Sequence, residues 1–158
     1  MQVTLTLEDI YVTEEMRSKL FTSTTPVDLE LWRFVRADEQ VPFGLYPVLR
    51  EKTIGTPPRQ RTRKPDLKIE RGSDGKLWTR MNTGGVSTFG GEFSMRSSGA
   101  YFIIPKGTRL PFGLAITEDE FSEFANRMHY SIVPFQDMPL IQYLRLLSQL
   151  SKSLVRVK

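Results

Sequence analysis

"TEDEFSEFANRMHYSIVPF", Thr117–Phe135, carries two structural signals end to end. The first half fits a helix. Thr117 at N-cap and Glu120 at N3 form a capping box, in which each side chain satisfies a backbone N–H of the first turn. Phe121, Phe124, Ala125 and Met128 then recur at helical spacing. The second half, His129–Phe135, reads as an apolar strand. Beyond it, Asp137 is placed to cap a last helix with Pro139 in its first turn, where the missing N–H costs nothing. Leu140, Leu144, Leu147 and Leu154 keep a core-type stripe to the chain end.

Working back from Thr117, "PKGT" (Pro105–Thr108) turns the chain and "GAYFIIP" (Gly99–Pro105) is a continuous apolar run, the pattern of a central strand. "KLWTR" (Lys76–Arg80) is a short strand behind the Asp-Gly turn of "RGSDGK" (Arg71–Lys76). "LELWRFV" (Leu29–Val35) is another strand, with Arg33 interrupting the apolar face of Leu29, Leu31 and Val35. A guanidinium there must find a partner or line a cleft. Val41–Ile54 is ambiguous, and Gly55–Asp66, with three prolines and clustered cations, reads as an extended or mobile basic loop. Val3–Leu7 reads as a strand; Thr13 opens a helix with Met16 and Leu20 on one face, before a polar break at Thr22–Pro26. Strands and helices in this mixed order lack strict βαβ alternation, so the class is α+β, in a single domain over residues 1–158.

The 158 residues suffice to bury a core. No apolar run approaches the roughly 18 residues of a membrane span, so no membrane partner is expected. "MQVTLTLEDI" lacks the basic start and apolar stretch of a secretory signal. The absence of cysteine excludes disulfides, a thiol nucleophile and thiolate zinc sites, and it suits a reducing cytoplasm or passage between compartments. One histidine and no cysteine leave too few ligands for a transition-metal site, so no metal is expected. Phosphate-loop, dinucleotide-fingerprint and nucleophile-elbow strings do not occur. The net charge of +4 is local: Arg50–Arg71 holds eight basic residues against three acids, a net +5, leaving −1 for the remainder.

Three features are candidates for chemistry. "MNTGGVSTFGG" (Met81–Gly91) is either a tight connection between strands or a place where backbone approaches a ligand, with hydroxyls from Thr83, Ser87 and Thr88 at hand. His129 is either a satisfied surface residue or an imidazole held on rigid backbone to donate to a ligand or move a proton. The arginine loop is a solvated linker, a docking patch for an acidic partner, or a phosphate-binding arm.

The ordered set of landmarks resembles a known family: the small type VI secretion effector toxins of the ADP-ribosyltransferase fold. "NTGGVSTF" (82–89), "GAYFIIPKGTRLP" (99–111) and "MHYSIVPFQDMP" (128–139) match its Thr-Gly-Gly-x-Ser loop, its strand ending Ile-Pro-x-Gly-Thr and its His-Tyr-x-Ile string. "LWRFV" (31–35) and "RKPD" (63–66) match weaker landmarks, so the resemblance runs from Leu31 to Leu150. It implies split mixed β-sheets with peripheral helices. It implies NAD as substrate, with ADP-ribose transferred to a target macromolecule or NAD hydrolysed. It also implies an antibacterial toxin made in one cytoplasm, secreted, acting in the recipient cell's cytoplasm and neutralised by a cognate immunity protein.

By position, the resemblance implies a catalytic set of Arg33, Ser87 and His129. Arg33 would hold a phosphate or ribose on the first strand of the NAD cleft, and Ser87 would lie under the nicotinamide ribose. His129 would take the third polar place, with Tyr130 beside it. Arg63 would be a secondary phosphate contact, and Gly85 and Thr88 would complete the cofactor-binding loop. The glycines would let backbone and small hydroxyls crowd against the dinucleotide. Two departures stand out. Val86 occupies a position where the family carries Thr; Thr88, on the same strand face, is the substitute. The paired-glutamate string of ADP-ribosyltransferases has a counterpart only in Glu118 and Glu120, which the helix start claims; Gln136 and Asp137 lie near a strand end. Two other classes remain: a nucleic-acid-directed toxin or binding module using Arg59, Arg61, Arg63 and Lys64, and a catalytically inactive member that only binds a partner.

Overall fold

A computed structural model describes residues 19–39 and 41–158. The expected strand at Val3–Leu7 and the start of the expected helix at Thr13 lie outside those residues. Leu20, placed on that helix, belongs to a strand, β1 (Lys19–Phe21).

The chain continues through β2 (Leu31–Arg36), β3 (Lys52–Ile54), β4 (Arg61–Arg63), β5 (Ile69–Arg71), β6 (Leu77–Thr79), β7 (Val86–Phe89) and β8 (Gly99–Ile104). It then forms β9 (Leu114–Ser122), β10 (Arg127–Pro134), β11 (Met138–Pro139), α1 (Leu140–Ser151) and β12 (Val155–Arg156). The main sheet has the order β1-β9-β10-β7-β2-β8-β12. β11-β6-β5 form a second sheet, and β3-β4 a two-stranded ribbon. The class is the expected α+β.

Its two longest strands correct the reading of Thr117–Met128 as a helix. β9 and β10 pair as an antiparallel hairpin, with Ile116 opposite Ile132, Thr117 opposite Ser131 and Phe121 opposite Met128. Thr117 does not cap an amide; its hydroxyl donates to the Asp119 carboxylate at 2.7 Å. Phe121 and Phe124, the supposed apolar stripe, are 54% and 67% exposed. Asn126, at φ 53°, helps reverse the chain in the left-handed conformation that asparagine tolerates. A local capping signature has lost to long-range pairing with the apolar strand His129–Phe135, the usual result when packing opposes a weak propensity.

The end of the chain needs two smaller corrections. Asp137 does not cap α1: its carboxylate accepts the Met81 N–H at 2.7 Å and an Arg80 N–H at 3.2 Å. α1 stops at Ser151, and the chain returns as β12 beside β8, so Leu154 lies past the helix. Tyr143, Leu147 and Leu150 form the buried stripe of α1, and the Tyr143 hydroxyl donates to the Ile132 carbonyl at 2.6 Å. They pack with Leu31, Val86, Ile104, Ile116 and Ile132 on one face of the main sheet. The other face carries a smaller aromatic cluster around Trp32, Phe93 and Tyr101.

The main sheet is nearly two sheets. β2 and β8 pair over six registered positions, and β10 and β7 over four. β2 and β7 share a single registered pair, Trp32 opposite Phe89. Part of the segment expected as a basic loop is ordered as β4, which lies against β3.

Candidate functional site

A cavity of about 390 Å³ lies where the half-sheets part, with residues of β2, β7 and the β3–β4 ribbon in its walls. Its size falls within the roughly 300–1,000 Å³ of small-molecule sites. Among the described residues, one part of the lining is cationic: Arg33, Arg36, Lys52, Arg61 and Arg63, against the single carboxylate of Glu39. Another part is aromatic, with Phe34, Phe89, Phe93 and Phe124. Such a lining suits a ligand with an anionic centre and a flat ring.

Arg33 is buried at 7% exposure. Its Nε donates to the Gly44 carbonyl at 3.3 Å and its Nη1 to the Ser87 carbonyl at 3.1 Å. Burial lowers the guanidinium pKa from its ordinary value, while Asp66 and Glu39 oppose the change. An arginine still stays charged at any physiological pH. Arg33 therefore ties the parting strands together and also lines the cavity.

β7 sorts its residues by alternation. Ser87 and Phe89 line the cavity. Val86 and Thr88 are fully buried on the opposite face, where the Thr88 hydroxyl donates to the Tyr130 carbonyl at 3.3 Å. Thr88, expected at the ligand in place of the hydroxyl lost at Val86, faces away from the cavity together with Val86.

The glycines before β7 answer to the protein's own backbone. A Cβ on Gly85 would stand 2.0 Å from the Ile132 carbonyl oxygen, and one on Gly84, at φ +124°, would stand 2.2 Å from that of Asp66. The close approaches that require these two glycines are to β10 and to the segment before β5.

Arg63 lines the cavity but is engaged, donating to Asp66 Oδ1 at 2.9 Å. That carboxylate is almost fully buried and also accepts the Val48 N–H at 2.6 Å, so it anchors the ribbon. Tyr130 packs in the main core, away from the cavity. Its hydroxyl donates to Glu118 at 3.1 Å, and burial, reinforced by that carboxylate, pushes its pKa up to about 12. His129 is not in the cavity wall, although its ring packs edge-on against Phe89, which is, with centroids 5.3 Å apart. Its Nδ1 lies 2.8 Å from Asp119 Oδ2.

The structure thus brings Arg33, Ser87 and Arg63 to one cavity and sets His129 just outside it; Thr88 and Tyr130 face the main core, and Gly85 lies close against the β10 backbone. Sequence reasoning gave no site role to Arg36, Lys52, Phe89 and Phe124, and named Arg61 only within the arginine loop and the nucleic-acid alternative. Lys52 and Arg61 were visible in the basic excess of Arg50–Arg71, and Phe89 follows Ser87 at strand spacing. Asp119 was hidden inside the supposed helix start. Among the described residues, no group of three or more His, Cys, Asp or Glu is placed to hold a metal ion, and no helix is long and apolar enough to cross a membrane.

A family model described as Tse2 ADP-ribosyltransferase toxin matches residues 10–158. The chain belongs to the Tse2 ADP-ribosyltransferase toxin family. It is also 34% identical over 76 residues to the toxin Tse2 of Pseudomonas aeruginosa, a match covering 48% of this chain and 46% of that protein. The shared stretch thus spans about half the length of that relative. The span matched by the Tse2 family model takes in both half-sheets, the basic ribbon and the parting where the cavity lies.

Proposed function

We propose that this protein is an NAD-consuming toxin whose dinucleotide lies in the cavity at the sheet parting. The observation that carries the reading is the cavity's lining, among the described residues five cations and four phenylalanines around one carboxylate, in a chain of the Tse2 family. The pyrophosphate lies against Arg33, Arg61 and Arg63, where charge-assisted hydrogen bonds are strongest. A ring of the dinucleotide lies against Phe89, Phe93 and Phe124. Ser87, beneath that position, orients a ribose hydroxyl. His129, behind Phe89, handles a proton at the cavity edge.

Cleavage of the nicotinamide bond develops positive charge on the ribose, as glycoside cleavage does. The residues of the cavity wall grip the anionic centre and fix the sugar against that change, so binding energy goes into orientation. ADP-ribose then passes to a macromolecular target in a recipient cell's cytoplasm. The cell that makes the toxin carries an immunity protein against it. Incubating the purified protein with labelled NAD and cell lysate tests the reading. Loss of NAD with a labelled adduct supports transfer, and loss without an adduct supports hydrolysis. No NAD loss by the folded protein contradicts both.

A further inference from the structure

The polar cluster around Asp119 has no part in the fold's core. Asp119 Oδ1 accepts the Thr117 hydroxyl at 2.7 Å. Its Oδ2 accepts the Ser131 hydroxyl at 2.6 Å and meets His129 Nδ1 at 2.8 Å. Both carboxylate oxygens are thus committed, to groups on its own strand and on β10. The β9–β10 register shifts between Met128 and Tyr130, which sets His129 at an irregularity of the kind that re-aims a side chain.

An ionised carboxylate only accepts hydrogen bonds, so it takes N–H from Nδ1 and leaves Nε2 of the neutral ring with its lone pair. Among the described residues, no hydrogen bond of Nε2 competes with a ligand. On the same sheet face, Ser131 stands opposite Ser87 and His129 opposite Phe89, and both of those partners line the cavity. The polar row therefore leads from Asp119 to the cavity wall.

We infer that Asp119 is a positioning residue for the transfer step, holding His129 as the Nδ1–H tautomer so that Nε2 receives the proton of an O–H acceptor, a hydroxyl or water. This rests on the cavity being the NAD site and adds the acceptor's chemistry. The bond from ribose to nicotinamide breaks with its electron pair going to nicotinamide, which leaves neutral. The acceptor oxygen forms the new bond to that ribose carbon, and its proton goes to Nε2. The positive charge of the substrate thus ends on the imidazole, where the Asp119 carboxylate stabilises it.

The chain has one histidine, so its imidazole nitrogen signals belong to one residue. Nitrogen NMR of the wild-type protein, with the ring neutral, is expected to show Nδ1–H. Asp119→Asn is expected to shift the ring toward Nε2–H and to lower kcat for NAD about 10²-fold at unchanged KM in the folded protein; Asp119→Glu is expected to recover part of the loss. An Nε2–H tautomer in the wild-type protein overturns the inference, whether or not Asp119→Asn folds. Wild-type kcat in Asp119→Asn, with turnover lost in His129→Gln, overturns it and leaves the NAD reading standing. Full turnover in His129→Gln overturns the inference together with the proposed role of His129. An absence of NAD turnover in the folded wild-type protein overturns the underlying reading.

Discussion

Arg33 reaches from β2 to donate its Nη1–H to the backbone carbonyl of Ser87 on β7, 3.1 Å away, where the two strands cease to pair. One side chain thus replaces missing ladder bonds and places a cation in the cavity. In the proposed reading this residue couples structure to NAD binding, and an alanine there tests both at once.

Arg33→Lys separates them. Lysine keeps the charge but lacks the planar fork that serves Gly44 and Ser87 together. Leaving one buried carbonyl without its donor costs about 1–3 kcal/mol. Urea denaturation should show Arg33→Lys less stable by that amount, with NAD binding weakened in the fraction that folds. An unchanged midpoint would show that the two carbonyls do not depend on the fork.

Lys52 and Arg61 should behave in the opposite way. They stand exposed on the β3–β4 ribbon and line the cavity without a described ion-pair partner. Removing exposed side chains of this kind usually changes stability by less than about 0.5 kcal/mol. The Lys52→Ala, Arg61→Ala protein should therefore melt like the parent and bind NAD about ten-fold more weakly, with a reduced salt dependence. Isothermal titration at two salt concentrations measures this.

Gly85→Ala should fail through folding rather than through binding. Its Cβ would stand 2.0 Å from the Ile132 carbonyl oxygen, and that oxygen belongs to a rigid strand that cannot give. The loss is about 3 kcal/mol or more, the upper range for overpacking. A denaturation midpoint close to the parent's would show that β7 and β10 separate more easily than their pairing indicates.

Asp119 should make stability depend on acid. Partial burial pushes its carboxyl up, but hydrogen bonds from His129, Ser131 and Thr117 outweigh that, and its pKa ends below the ordinary value. A carboxyl depressed on folding contributes stability above its unfolded pKa, about 3.9, and loses it as pH falls through the lower folded value. The stability gap between the parent and Asp119→Asn should be full at pH 6 and shrink below pH 4. A gap that stays constant down to pH 2 would contradict this account.

The legible parts of the sequence were those set by local pattern. Leu31–Arg36, Gly99–Ile104 and the part of β10 from His129 onward are strands because their apolar runs leave no other burial, and the Asp-Gly turn before Leu77 fixed a hairpin. Thr117–Met128 misled because a capping box is a local signal, whereas the hairpin depends on residues across the sheet. The same distance explains the site. Arg33 as a buried cation was readable from one strand. That Thr88 points away while Lys52 and Arg61 point in depends on how β7 and the ribbon stand against β2, and no local spacing records that.

The most direct measurement is a crystal structure of the protein with a non-cleavable NAD analogue. The account predicts density in the parting between β2 and β7, with the pyrophosphate in hydrogen-bond range of Arg33, Arg61 or Arg63 and a ring against Phe89, Phe93 or Phe124. Density in another groove, with these side chains untouched, would contradict it.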